Sequence, residues 1–333
     1  MPKRCRVRCT EAWLVWSATA LARRAALAEN RVPFRIRTPP MTRHATTALA
    51  FALGCTLAAC AQTPASNDAP GASAEAAAVQ ADAGNALEAA IAGAWRTPEN
   101  VARDQFRHPR QTLAFFGVEP GHTVVEITPG GGWYAEILAP YLRDGGEYVA
   151  AVVDPQSQPE GRGRDYQQRN KSGLEAKVAG APEQYGNARI IAFDPAAPVF
   201  GPSGSADHVL TFRNVHNWRG DGHAEAMFRG FFEVLKPGGV LGVVEHRAAG
   251  DVPADDESGY VGQAQVVALA EAAGFRLEES SEINANPKDT KDHPNGVWTL
   301  PPVNRHDAED DALYQAIGES DRMTLRFVKP TQD

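Results

Sequence analysis

Three consecutive glycines behind a short apolar segment constrain the fold of this chain more than any other feature. Residues 124–138 read VVEITPGGGWYAEIL, an apolar run with one carboxylate that is followed by Gly130, Gly131 and Gly132. Glycine adopts positive φ and has no Cβ to keep a ligand away from the main chain. A helix that begins after such a turn offers free backbone N–H groups in its first turn. The stretch therefore predicts a strand, a ligand-binding turn and a helix.

Apolar runs of strand length alternate with segments of helical pattern through the rest of the chain. The predicted strands are residues 123–127, 146–153, 188–193, 208–213, 240–246, 275–283 and 323–329. The predicted helices are residues 132–141, 164–178, 224–234 and 262–273. Strands that alternate with helices predict a parallel sheet with helices on both faces. No helical pattern separates the last two strands, so we expect an antiparallel pair at one edge.

Charge and cysteine content divide the chain near residue 60. The first 60 residues hold ten of the 33 basic side chains but only two of the 41 acidic ones, so the rest is strongly acidic. An acidic body argues against a nucleic-acid partner bound through its phosphates. All the cysteines, Cys5, Cys9, Cys55 and Cys60, lie in the same first part. This excludes a disulfide framework, a zinc–cysteine cluster and a cysteine nucleophile from the remaining residues.

Residues 41–60 have the pattern of a targeting segment. A short basic start is followed by fifteen apolar or small residues at 45–59, the length of a signal-peptide core and too short for an ordinary membrane span. The run ends on Leu-Ala-Ala-Cys, which resembles the cleavage box of bacterial lipoproteins. That resemblance implies a lipid anchor on Cys60, membrane attachment and a place on the periplasmic side of the cell envelope. The alternative is an alanine-rich buried helix in a cytoplasmic protein.

The targeting segment sets the expected domain boundaries. Residues 1–40 are then expected to be an upstream extension from a mis-assigned start. Residues 61–93 are rich in Ala, Pro, Ser, Gly and Asp and poor in large apolar side chains, which predicts a flexible tether. We expect the folded domain to cover residues 94–330.

Several segments together resemble class I S-adenosylmethionine (SAM)-dependent methyltransferases. The order of predicted strands is typical of that family. So is the stretch FFEVLKPGGVLGVVEHR at 231–247, in which a Lys-Pro-Gly-Gly turn follows a helix and precedes an apolar strand. The segments EITPGGGWYAEILAP, FRNVHNW and NPKDTKDHPNGVWTLPP are similar to an uncharacterised bacterial group of predicted, often exported, methyltransferases. The resemblance implies a Rossmann-like α/β fold with a seven-stranded, mostly parallel sheet and an antiparallel edge strand. It also implies SAM as cofactor and methyl transfer to an unidentified, small-molecule acceptor.

The same resemblance assigns the glycine loop to the cofactor. The family pattern is acid-x-Gly-x-Gly-x-Gly, against which this chain has Glu126, Thr128, Gly130 and Gly132, with Gly131 between the last two. Thr128 therefore replaces the first glycine of the pattern. The resemblance implies that Glu126 binds the amino-acid part of SAM and that the glycines enclose its methionine portion.

Two further acids lie at predicted strand ends. The resemblance implies that Asp154 binds the ribose hydroxyls and that Asp194 lies near the adenine, although each can equally cap a turn. The rival reading is a nicotinamide cofactor, because Gly130-x-Gly132-x-x-Ala135 satisfies the dinucleotide fingerprint and Asp154 follows at the appropriate distance.

Polar residues that follow the fourth and fifth predicted strands are the candidates for chemistry. His216 is the first candidate for a general base, since histidine titrates near neutral pH and this strand end is expected to border the transferred methyl group. His246 is the second candidate, and Asn214 is expected near cofactor or substrate. Each histidine can equally have a structural role. The histidines show no close-spaced ligand motif, so we expect no metal site.

Two other segments are expected near the pocket. The stretch RDQFRHP contributes Arg103, Asp104, Arg107 and His108, which either fold over the pocket or form a solvated helix face. The long connection over residues 284–322 is expected to cover the cofactor edge.

The two main signals point to different compartments, because SAM is made inside the cell and a lipoprotein works outside it. Two alternatives therefore stay open beside methyl transfer. One is an envelope-anchored protein that binds a nucleoside-like ligand without catalysis, and the other is an NAD-dependent oxidoreductase.

Overall fold

The computed structural model describes residues 82–331. The predicted upstream extension, the signal segment with Cys60 and the first part of the predicted tether all lie outside the described residues. In the part of the chain that the structure describes, no helix is both long and apolar enough to cross a membrane.

One seven-stranded sheet forms the centre of the domain, with the strand order β3-β2-β1-β4-β5-β7-β6. The strands are β1 (Thr123–Ile127), β2 (Glu147–Val153), β3 (Ala188–Phe193), β4 (Ala206–Phe212), β5 (Leu235–His246), β6 (Arg276–Ser281) and β7 (Arg322–Val328). Strands β1 to β5 pair in parallel, whereas β7 is antiparallel to both β5 and β6. The predicted Rossmann-like α/β fold with a seven-stranded, mostly parallel sheet is confirmed. The antiparallel strand lies one place inside the edge, because β7 inserts between β5 and β6.

Helices cover both faces of the sheet, as parallel strands require. They are α1 (residues 82–91), α2 (Pro98–Val101), α3 (Asp104–Arg107), α4 (Pro109–Phe116), α5 (Ala135–Leu142), α6 (Arg162–Gly180), α7 (Pro182–Tyr185), α8 (Val215–Gly220), α9 (Ala224–Val234), α10 (Gln263–Ala272) and α11 (Asp311–Ile317). One face packs against α9 and α10, and the other packs against α4 and α5. Side chains alternate along β1, so Val125 and Ile127 face the first layer, and Val124 faces the second.

The N-terminal boundary of the folded domain differs from the prediction. Residues 82–91, which were expected to belong to the flexible tether, form α1, and its Leu87 and Ala90 are buried beside Leu113 and Ile137. Alanine has the highest intrinsic helix propensity, so a segment rich in alanine needs few large apolar side chains to dock as a helix. The tether prediction is therefore wrong for residues 82–91.

The fifth strand begins earlier than predicted and contains an irregularity. The sequence predicted a turn at the Lys-Pro-Gly-Gly motif, and the structure continues β5 through it with an irregularity. Leu235 pairs with Ala206 and Val240 pairs with His208, so four residues of β5 lie opposite a single residue of β4, Asp207. Gly238 has a φ of 80° within this bulge, a conformation that glycine adopts without strain.

Candidate functional site

The glycine loop joins β1 to α5 in a conformation with repeated positive φ. Thr128, Gly130 and Gly132 have φ values of 52°, 58° and 78°. A Cβ added at Gly130 or Gly131 would have no neighbour within 4 Å, whereas one at Gly132 would contact Leu174 at 3.2 Å. The first two glycines therefore border open space, and the third is needed for packing. Thr128 adopts a left-handed conformation, which the glycine found at this position of the family pattern would adopt without strain.

A cavity of about 220 Å³ lies against this loop, and we call it the loop cavity. Its walls include Glu126, Thr128 and the two open glycines. Trp133 also lines it, with its indole Nε1 donating to the carbonyl of Asn100 at 2.8 Å. The open space at the two glycines shows that Trp133 lies beside the bend and does not fill it.

Glu126 is buried at the carboxyl end of β1, and its carboxylate has one hydrogen-bond partner among residues 82–331. The Tyr148 hydroxyl donates to Glu126 Oε2 at 2.6 Å. Burial raises the pKa of Glu126 from 4.5 to about 7, against the opposing effects of Tyr148, Arg213 and Arg107. A buried carboxyl group that ionises near neutral pH favours a cationic ligand group, because an ammonium would compensate the buried negative charge.

Asp154 and Asp194 lie at the same edge of the sheet and both hold local turns. Asp154 Oδ1 accepts from the backbone N–H of Gln156 at 2.9 Å, and Asp194 Oδ1 accepts from that of Ala196 at 2.9 Å. Neither aspartate belongs to the walls of the loop cavity or of the larger cavity described next. Their assignment to ribose and adenine stays a prediction.

A second cavity, which we call the main cavity, has a volume of about 670 Å³. It opens at the carboxyl ends of β4 and β5, where ligands bind in open α/β sheets. Its polar walls include Arg103, Arg107, Arg213, Asn214, His216, Asp221, His246, Glu319, Ser320 and Arg322. It shares Arg103, Arg107, Thr128, Tyr166, Arg213 and Asn214 with the loop cavity, so the two cavities adjoin.

His216 is fixed by a carboxylate that is entirely buried. Its Nδ1 lies 3.0 Å from Glu245 Oε1, and Glu245 has no exposed surface. Glu245 Oε2 accepts from the backbone N–H of Val215 at 2.6 Å, and Oε1 accepts from that of His246 at 2.8 Å. A carboxylate beside Nδ1 favours the tautomer in which Nδ1 donates, which leaves Nε2 free to accept a proton.

His246 has a different environment from His216, although the two ring centres are 5.4 Å apart. Its Nδ1 lies 2.5 Å from the Ser320 hydroxyl oxygen. Burial, His216 and the nearby arginines hold the pKa of His246 well below its usual range. His246 is therefore neutral near pH 7 and a weak base.

Asn214 ties two strand ends together. Its side-chain amide donates to the carbonyl of Ile127 at 3.1 Å and lies 3.2 Å from Thr211 Oγ1. It is 7% exposed and lines both cavities. Asn214 thereby fixes the end of β4 against the end of β1, between the glycine loop and the His216 segment.

The fold assembles a group of potential metal ligands that the sequence spacing did not indicate. One ligand atom each from His216, Glu245 and His246 lies within 4.8 Å of the others. However, both oxygens of Glu245 already accept hydrogen bonds from N–H groups. The positive charges of Arg107, Arg213 and Arg322 also act on His246. These partners favour a hydrogen-bonded histidine–glutamate pair over a cation site.

A cluster of arginines surrounds Glu319, which also lines the main cavity. Arg103 Nε lies 2.6 Å from Glu319 Oε1, and Arg107 Nε lies 3.3 Å from Oε2. Arg322 also pairs with Glu319 Oε2. Although burial alone would raise the pKa of Glu319, the arginines hold it well below its usual range. Glu319 is therefore the common counter-ion of three arginines.

The two segments that were expected near the pocket contribute in part. Arg103 and Arg107 line the cavities. Asp104 lines neither of them and instead pairs with Arg96 at 2.6 Å. In the long connection before β7, Trp298 lines the main cavity. Asp289 instead organises the connection, since it accepts from the Tyr260 hydroxyl at 2.8 Å.

Comparisons with known proteins give only distant similarity. No family model and no curated protein matches this chain. A SAM-dependent methyltransferase structure from Aquifex aeolicus is 15% identical, with a TM-score of 0.45, over 68% of this chain and 93% of its own. The [4+2]-cyclase SpnF is 16% identical, with a TM-score of 0.46, over 68% and 81%. An arsenic(III) SAM methyltransferase from Chlamydomonas reinhardtii is 17% identical, with a TM-score of 0.42, over 74% and 73%. Similarity this low does not carry an activity across, so the function rests on the residues of this site.

Proposed function

We propose that this chain transfers a methyl group from SAM to a small acceptor molecule. The observation that carries the proposal is the junction of two cavities at the carboxyl edge of the sheet. One borders the open glycines of the loop, and the other contains His216 held by the buried Glu245. A cofactor and an acceptor bound in these adjoining cavities would meet beside a general base.

The residues of the loop cavity fit the amino-acid part of SAM. Gly130 and Gly131 leave open space where a side chain would otherwise be. Thr128 Oγ1 is buried and has no hydrogen-bond partner among the described residues, so it is available to a ligand. Glu126 would bind the ammonium group, and Arg103 would bind the carboxylate. When bound, SAM supplies an electrophilic methyl group, whose loss converts the sulfonium to a neutral thioether.

The main cavity supplies the residues for the acceptor. His216 Nε2 would take the proton from an O–H or N–H nucleophile, and Glu245 would stabilise the resulting imidazolium. Trp218, Trp298 and Pro302 line this cavity with apolar surface, which would keep water from the reacting atoms. His246 is the weaker candidate because its neutral form has little affinity for a proton.

The strand order argues against the nicotinamide alternative. The dinucleotide-binding fold has the order 3-2-1-4-5-6 with parallel strands. Here β7 lies between β5 and β6 and runs antiparallel to both. The glycine fingerprint alone is shared by both cofactor classes, so the sheet edge is the discriminating feature.

Thermal unfolding of the purified full-length protein with added cofactors tests the proposal. SAM or S-adenosylhomocysteine at 100 times its dissociation constant is expected to stabilise the protein by about 2.7 kcal/mol. His216→Ala is expected to retain this stabilisation and to lose methyl transfer. A response to NAD alone would contradict the proposal. A response to SAM with unchanged transfer in His216→Ala would remove His216 from the mechanism.

We also propose that the protein is attached to the cell envelope through a lipid on Cys60. The support is the sequence pattern of residues 41–60. Metabolic labelling with a radioactive fatty acid in a bacterial host tests it, with Cys60→Ser as the unlabelled control. Equal labelling of both proteins, or labelling of neither, would contradict the anchor.

A further inference from the structure

Positive charge exceeds negative charge on the walls of the main cavity. Four arginines line it, namely Arg103, Arg107, Arg213 and Arg322. Two carboxylates line it, Glu319 and Asp221, and the second is exposed to solvent, where water and salt screen its charge. Glu319 is 2% exposed and already pairs with three of the arginines. The cavity therefore retains uncompensated cationic groups.

Arg213 is the clearest of these groups. Its side chain makes no hydrogen bond or ion pair within residues 82–331, and it lines both cavities. Its φ is 62°, which is strained for an arginine, while its backbone N–H is held by the carbonyl of Val244 at 2.7 Å. Burial lowers the pKa of Arg213 to about 10, so the side chain is still a cation near neutral pH.

Arg107 offers a second set of free donors next to it. It is 4% exposed, and Nε is the only one of its side-chain nitrogens with a hydrogen-bond partner in residues 82–331, namely Glu319 Oε2 at 3.3 Å. Its guanidinium carbon lies 4.8 Å from the ring centre of Trp133, which holds the plane of the side chain in place. Within the described part of the chain, its two terminal nitrogens have no acceptor. A guanidinium with free terminal N–H groups can bind a carboxylate or phosphate through two parallel hydrogen bonds.

The proposed cofactor does not balance this charge. SAM has one carboxylate against an ammonium and a sulfonium, so its own charge is positive. Binding it beside the arginine cluster adds a cation to a cationic site, and buried charges are costly unless they are paired. A further anion is needed in the main cavity.

We propose that the acceptor is a small acid whose carboxylate or phosphate group binds Arg213 and Arg107 beside His216. That the bound acid accepts the methyl group rests on the proposed function, whereas the anion site itself does not. The main cavity, with a volume of about 670 Å³, has the size of a site for a small molecule. The anionic group of the acceptor also supplies the negative charge that allows a sulfonium to bind next to the arginines.

Calorimetric titration of the full-length protein with inorganic phosphate, and separately with acetate, tests the site at constant ionic strength set with sodium chloride. At least one ion is expected to bind, and the preferred ion distinguishes a phosphate from a carboxylate acceptor. Arg213→Gln is expected to weaken that binding at least tenfold. Arg213→Lys, which keeps the charge, is expected to retain part of it.

Arg229→Gln is the matched control, because Arg229 is an exposed arginine on α9 whose only ion pair in the described part of the chain is with Glu225. This variant is expected to bind the ion as the unchanged protein does. Binding of neither ion, or equal binding in Arg213→Gln, would overturn the anion site. A parallel titration with S-adenosylhomocysteine separates the two proposals. Its failure alone contradicts methyl transfer, and failure of the ions alone contradicts the acidic acceptor.

Discussion

His216 Nδ1 and Glu245 Oε1 are 3.0 Å apart, and the carboxylate of this pair has no solvent-exposed surface. Because the carboxylate can only accept, we expect neutral His216 to carry its proton on Nδ1. Long-range ¹H–¹⁵N correlation spectra of the imidazole are expected to show this single tautomer. A His216 signal with the proton on Nε2 would contradict the proposed base, since that nitrogen could not then accept a proton.

Glu245→Gln is expected to remove the tautomer preference. An amide side chain presents a donor as well as an acceptor, and it must still face the N–H groups of Val215 and His246. We expect mixed His216 tautomers and a loss of stability on the order of 1–3 kcal/mol, measured by denaturant unfolding. Glu245 is a positioning residue, so cofactor affinity is expected to be unchanged. A variant that retains the single Nδ1–H tautomer would show that Glu245 does not orient His216.

Thr128→Gly is expected to stabilise the fold. Thr128 has a φ of 52°, which is unfavourable for a β-branched residue, and its buried hydroxyl has no partner in residues 82–331. Relief of this strain exceeds the entropy cost of a glycine in the unfolded chain, so we expect a net gain of about 1 kcal/mol. Thr128→Ala is the control, because it removes the hydroxyl and keeps the strained Cβ. Equal unfolding free energies for both variants would contradict the role of backbone strain.

The sequence was sufficient for the sheet and for part of the site. Apolar runs and turn residues located all seven strands, with the largest difference at the start of β5, which begins at Leu235 and not at residue 240. The central parallel strands β1, β2 and β4 are buried on both faces, so their sequences are nearly continuous apolar runs. The glycine loop was also located, since its backbone geometry depends on local residue types. The bulge in β5 was read as a turn, because Gly238 meets the requirements of either.

Contacts between distant segments could not be read in the same way. Arg103 pairs with Glu319, which is 216 residues away in the chain. Glu245 lies within the predicted strand at residues 240–246, but its bond to His216 depends on the pairing of β4 with β5. The helix α1 was missed because its burial needs only Leu87 and Ala90. These contacts depend on tertiary packing, so they leave no pattern in the local sequence.

The pH dependence of stability should contain a contribution from Glu126. Its pKa is about 7 in the folded protein, against 4.5 for the ordinary group. The folded state therefore binds this proton more tightly, so the stabilising contribution is complete below about pH 4.5 and is lost as the pH rises through about 7. The loss is on the order of 3 kcal/mol.

Glu126→Gln is expected to remove this contribution while it keeps a group that accepts from the Tyr148 hydroxyl. The unfolding free energy of the variant, relative to the unchanged protein, is expected to rise between about pH 5 and about pH 8. Urea unfolding at several pH values measures the difference. A constant difference across this range would show that Glu126 is ionised throughout. The variant should also bind S-adenosylhomocysteine more weakly, since the amide does not compensate an ammonium.

Gly131→Ala separates ligand binding from stability. A Cβ at Gly131 has no neighbour within 4 Å, and the residue is outside the left-handed region, so the fold should accept alanine with a change within about 0.5 kcal/mol. The same methyl group would enter the loop cavity, where we expect it to weaken S-adenosylhomocysteine binding at least about tenfold, or ~1.4 kcal/mol. Gly173→Ala is the matched control, because a Cβ there also meets no atom within 4 Å and the residue lies on α6 away from both cavities. Calorimetry that gives the same affinity for both variants would mean that the ligand does not approach the backbone of this loop, and the cofactor assignment would lose its geometric basis.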